Sequence, residues 1–116
     1  MTQEPREPVA AEAFEALDLR LGRILEAEDF TRARRPSYRL LIDFGPLGTR
    51  RSSAGLKPFY TAEELVGRQV VCVFNLPPRN IAGFMSEVLV LGATEADGRI
   101  RLLQPESEGS LGAPIS

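Results

Sequence analysis

The densest group of side chains able to recognise a ligand lies in residues 75–92, NLPPRNIAGFMSEVLVLG. Pro77 and Pro78 cannot donate to a β-ladder, so the chain must leave any sheet there. Arg79 and Asn80 fall on the resulting loop. Gly83 permits a sharp return, and Phe84, Met85 and Ser86 stand at the mouth of the next strand. A guanidinium, an amide, a hydroxyl and apolar surfaces on which bases can lie are what single-stranded RNA recognition uses. The alternative is a plain proline loop with Phe84 and Met85 in the core. Arg79 has no evident task in that alternative.

Charge points the same way. The formal total is −2, which argues against gripping a polyanion by bulk attraction. Its distribution is uneven. Residues 20–60 hold nine bases (Arg20, Arg23, Arg32, Arg34, Arg35, Arg39, Arg50, Arg51, Lys57) against four acids (Glu26, Glu28, Asp29, Asp43), a net of +5. The remainder nets −7. A basic stretch on an acidic chain suggests one polyanion-facing surface. Scattered, solvated arginines are the competing explanation.

Other chemistries are poorly supplied. Histidine is absent, which removes the commonest general base and metal ligand. Cys72 is the only cysteine, so neither an internal disulfide nor a His/Cys zinc site is available, and its place in VVCVF predicts a buried, inert thiol. Glu63 and Glu64 are adjacent on a predicted helix and point apart. Nothing marks Asp18 and Glu87 as a buried pair. The expectation is a protein without catalytic residues, cofactor or metal.

The positioning elements are mostly strands. Residues 1–8 are polar, carry two prolines and are expected to be disordered. Residues 9–116 then form one domain. Val9, Ala10, Ala13, Phe14 and Leu17 recur at helical spacing, predicting a short amphipathic helix that is marginal alone. A strand begins at Asp18, with Leu19, Leu21 and Arg23 on one face, Ile24 and Glu26 on the other, and a bend expected at Gly22. YRLLIDF (38–44), TRRSSA (49–54), QVVCVFN (69–75), EVLVL (87–91) and RIRLLQ (99–104) supply further strands. Thr61-Ala-Glu-Glu64 is a capping box that opens a helix ending by Gly67. This order predicts an all-β, five-stranded OB-fold barrel with a short helix between strands 3 and 4 and a short N-terminal helix. A β-sandwich is the competing architecture. No apolar run approaches the ~20 residues of a membrane helix. The acidic, non-apolar start (Glu4, Glu7, Glu12, Glu15) is unlike a secretory signal, so a cytoplasmic protein is expected.

FEALDLRLGRILEAEDF (14–30), IDFG (42–45), SSA (52–54), NLPPRNIAGFMSEVLVLG (75–92) and LLQP (102–105) together resemble the CsaA-like export-related chaperones. More loosely they resemble the tRNA-binding modules attached to some aminoacyl-tRNA synthetases. The resemblance implies an OB fold, a homodimer, tRNA binding and a part in protein secretion. It also implies binding positions: Ser52 and Ser53 match the family's serine pair and Asn75 its asparagine after the fourth strand. Arg79, Met85 and Ser86 lie in the matching loop, and Arg50 and Arg51 stand where relatives often carry lysine or another polar residue. Three departures are visible: Gly55-Leu56 replaces the usual Gln-Ile, Met85 stands where some relatives have lysine, and the tail GSLGAPIS (109–116) keeps only a trace of the family's Pro-x-Gly ending. A chaperone holding unfolded preprotein segments in a groove at the dimer interface is the other function the resemblance allows.

Overall fold

The longest strand, β1 (Leu19–Asp29), organises the molecule because it pairs with different partners along its length. The computed structural model describes residues 4–116. The first half of β1 pairs antiparallel with β4 (Gln69–Val73), and the second half pairs with β2 (Tyr38–Asp43). β3 (Thr49–Ala54) follows β2, and β7 (Leu89–Val90) flanks β4, giving the order β3-β2-β1-β4-β7. Contacts between β3 and residues 86–88 bring the two sheet edges together. Glu87 donates its N–H to the Arg51 carbonyl at 2.8 Å, and the Ser52 hydroxyl donates to the Val88 carbonyl at 2.8 Å. The result is the nearly closed five-stranded barrel expected from the sequence.

The core is the barrel interior: Ile24, Leu40, Ile42, Phe44, Val70 and Cys72 are buried there. Cys72 is enclosed by apolar neighbours, and burial pushes its thiol up to about 12. Gly22 faces the same interior. A Cβ there would lie 2.6 Å from Ile42 and 2.7 Å from Phe44, so the missing side chain admits the Phe44 ring.

The irregularity of β1 is not at Gly22. The register shifts between Ile24 and Glu26, with Leu25 as the extra residue. Before this bulge Gly22 and Ile24 point inward. After it Ala27 does, which sends Glu26 and Glu28 to the outer face rather than leaving Glu26 on the side of Ile24. The outer side of Leu19, Leu21 and Arg23 is covered by the C-terminal segment. Leu21 and Leu19 exchange backbone hydrogen bonds with residues 112–115, and Arg23 holds Glu108 at 2.6 Å.

The capping box forms as read. Glu64 N–H donates to the Thr61 hydroxyl, and Thr61 N–H donates to the Glu64 carboxylate. Helix α2 (Ala62–Leu65) carries Leu65 into the barrel end, and Gly67, at φ 91°, stops it. The N-terminal helix is also present, as α1 (Ala11–Glu15), with none of its residues buried. Residues 4–8 carry no helix or strand; the rest of the segment expected to be disordered lies outside the described residues.

Two hairpins refine the reading. β5 (Arg79–Ile81) and β6 (Phe84–Ser86) pair where a loop was expected, turning through Ala82 and Gly83 at φ 49° and 89°. β8 (Gly92–Thr94) and β9 (Ile100–Leu102) pair across the Asp97-Gly98 turn.

Candidate nucleic-acid interface

The outer face of the β1–β2–β3 sheet presents two cross-strand rows. Register aligns Glu26, Leu41 and Arg51 in one row and Glu28, Arg39 and Ser53 in the next. The β5–β6 hairpin folds across this face. Phe84 packs edge-on against Phe30, centroids 5.4 Å apart, and the Arg39 guanidinium lies 5.6 Å from the Phe30 ring and 6.0 Å from the Phe84 ring. Glu28 steadies Arg39 at 3.7 Å. The hairpin tip also approaches the β1–β2 connection, for Arg32 Nη2 lies 3.5 Å from where a Cβ on Gly83 would sit. Between hairpin and sheet is an open cleft of about 190 Å³ lined by Glu26, Glu28, Arg39, Leu41, Arg51 and Phe84. A neighbouring cavity of about 100 Å³ is bounded by Ser53, Leu76, Arg79, Ile81, Ser86 and Leu89.

The eight residues singled out from the sequence are not gathered on one face. Period-two alternation divides Arg50, Arg51, Ser52 and Ser53. Arg51 and Ser53 face outward, and Arg51 is exposed. Ser52 faces inward and is 0% exposed, its hydroxyl spent on Val88. Arg50 shares the inward phase at the barrel end. It donates to the carbonyls of Leu47 and Thr49 and stacks 4.8 Å from the Phe74 ring. Asn75 is a latch: its Oδ1 accepts from Asp18 N–H at 2.8 Å and its Nδ2 donates to the Ala16 carbonyl at 2.9 Å, fixing the turn between α1 and β1. Ser86 accepts from Ser53 N–H at 3.0 Å, which ties the hairpin to β3. Arg79, paired with Ser86 in the hairpin, is exposed and makes no ion pair or side-chain hydrogen bond among the described residues. Met85 is 46% exposed and alternates away from Phe84 and Ser86, so it lies on the hairpin's solvent side.

The fold thus brings together Arg51, Ser53, Arg79 and Ser86 and sends Arg50, Ser52, Asn75 and Met85 elsewhere. It adds side chains that the motif reading passed over: Arg39 in the cleft and the exposed Arg32, Arg34 and Arg35 on the adjoining connection. Their signal was in the sequence as the run TRARRPSYR between two strands. β2 places Arg39 in the cleft, and Arg32 reaches the hairpin tip at Gly83.

A family model described as "Putative tRNA binding domain" matches residues 19–114. The chain belongs to this tRNA-binding domain family. The methionine–tRNA ligase of Porphyromonas gingivalis ATCC 33277 is 41% identical over 109 residues, and that of Methanococcus vannielii is 38% identical over 109. Each match covers 94% of this chain but spans only 16% of the ligase. Among solved structures, the chaperone CsaA of Bacillus anthracis strain Ames superposes with a TM-score of 0.90 at 48% identity, covering 95% of this chain and all of that one. The CsaA chaperone of Picrophilus torridus gives 0.89 at 41% identity, covering 94% of this chain and all of its own. Among the described residues no group of three or more His, Cys, Asp or Glu side chains is placed to hold a metal ion. No described helix is long and apolar enough to cross a membrane.

Proposed function

We propose that this chain is a tRNA-binding module, not an enzyme, that works in the cytoplasm. The meeting of Arg39 and Arg51 in one cleft, with Arg32 at the tip of the overlying hairpin and Arg79 on that hairpin, carries the reading. A net-acidic chain needs such a local patch to hold a polyanion. Phosphates meet the arginines, while Ser53, Ser86 and the Phe84 edge are within reach of bases and 2′-hydroxyls. Binding of bulk tRNA, followed by filter retention, should fall steeply as salt is raised from about 50 to 200 mM, because each neutralised phosphate releases counterions. Absence of binding by the folded protein at the lower salt would refute the reading.

We further propose a homodimer. Phe14, Leu17, Leu76 and Leu89 are between 39% and 49% exposed, and Asn75 ties the end of the α1 segment beside Leu76. A second copy covering these side chains would remove the apolar surface that a monomer leaves in water. Sedimentation at tens of micromolar should report a dimer; a monomer refutes this. Any of these apolar groups that a second copy leaves open favour a second reading, a chaperone that holds unfolded preprotein segments at the dimer interface. Capture of an unfolded, uncharged test polypeptide, undiminished by excess tRNA, would support it.

A further inference from the structure

The cleft on the β1–β2–β3 face is bipolar, and a phosphate-binding surface does not require that. Glu26 and Glu28 form one wall and Arg51 the other, with Leu41 between them as an apolar floor and Phe84 overhanging. Across two strand spacings, about 9–10 Å, the lining passes from acceptor-only to donor-only chemistry. A phosphate is repelled from the first wall and attracted to the second. An edge that carries hydrogen-bond donors suits the first wall. The two carboxylates are not equivalent. Glu28 is engaged with Arg39. Glu26 has no ion pair or side-chain hydrogen bond among the described residues, and the bulge at Leu25 directs it to this face.

Resting on the RNA-binding reading, we infer that this cleft selects guanine, with Glu26 as the residue that reads it. A carboxylate offers two coplanar acceptors. Guanine alone among the RNA bases sets two neighbouring donors, N1–H and the N2 amino group, along its Watson–Crick edge. Adenine and cytosine present one amino group there, and uracil one imino N–H. Arg39, stacked against Phe30 and Phe84, has a buried Nε without a partner among the described residues. Its guanidinium adds a cationic plane beside the base.

The test uses heptameric oligouridylates carrying one central guanosine, inosine or adenosine, with anisotropy read at about 50 mM salt, and bulk tRNA in parallel. Inosine keeps N1–H but lacks the amino group. The guanosine oligomer should bind about tenfold tighter than either alternative, the discrimination typical of one bidentate contact. Glu26→Gln should erase that preference without weakening the adenosine oligomer. Glu28→Gln should retain it. The exposed position of Glu26 makes its variant safe for folding, which circular dichroism checks. Equal affinity of the wild type for all three oligomers overturns the inference. So does a Glu26→Gln variant that gains affinity equally for each, since the carboxylate then only repels phosphate. Failure to bind bulk tRNA at all would instead refute the RNA-binding reading itself.

Discussion

Ser52 and Ser53 are neighbours in the chain and opposites in the fold, so replacing each by alanine should separate stability from binding. Ser52 is wholly buried, and its hydroxyl donates to the Val88 carbonyl at 2.8 Å across the seam where β3 meets residues 86–88. Alanine fills almost the same volume but strands that carbonyl. An unsatisfied buried acceptor costs about 1–2 kcal/mol, which for a domain of this size is a drop of roughly 3–8 °C in Tm. Ser53 uses its backbone N–H, not its hydroxyl, to hold Ser86. Ser53→Ala should therefore stay within about 0.5 kcal/mol of wild type while losing affinity for tRNA. Thermal unfolding at one fixed protein concentration, so that any assembly contributes equally, and tRNA filter binding give both quantities. If Ser52→Ala keeps its Tm and binds tRNA more weakly, its hydroxyl faces the ligand and the assigned phase of β3 is wrong.

Arg51→Ala and Arg79→Ala should each weaken tRNA binding and lower the slope of log affinity against log salt by up to ~1. Arg50→Ala should instead lower Tm with an unchanged slope, because its guanidinium is held by Leu47, Thr49 and Phe74, and Arg101→Ala on β9 should change neither. Gly22→Ala should cost about 1–3 kcal/mol from overpacking in denaturant melts, since its Cβ would press on Ile42 and Phe44 inside the barrel; an unchanged midpoint would refute that packing. Asn75→Ala should release the α1 turn, increase proteolysis before residue 18 and shift sedimentation towards monomer, with the salt slope of tRNA binding preserved. Arg23 holds the Glu108 carboxyl below its ordinary 4.5. The pair's contribution is present above that value and is lost as pH falls through the lower, folded-state value, so Glu108→Gln should flatten the acid limb of a Tm–pH profile.

What local chemistry decides was legible in the sequence. The capping box needs only Thr61 and Glu64 three residues apart, and it forms. The strand runs read at 38–44, 49–54 and 69–75 lie between turn signals, and strands form at Tyr38–Asp43, Thr49–Ala54 and Gln69–Val73. That order, with a helix before the fourth strand, was enough for the barrel. The family motifs pointed to residues 79–86, which form the hairpin that follows the Pro-Pro exit. Phase and approach were not legible. A single extra residue at Leu25 turned Glu26 outward, and bulges leave no reliable local signature because pairing with a distant strand defines them. Asn75 could be a ligand or a latch until Ala16 and Asp18 were brought beside it. Arg39 and Arg51 share a face only through the β2–β3 register, and Arg32 adjoins the hairpin only through its approach to Gly83. Which side chains face the cleft is set by inter-strand register and by the packing of Phe84 on Phe30. Both are contacts between distant residues, so no stretch of the chain taken alone contains them.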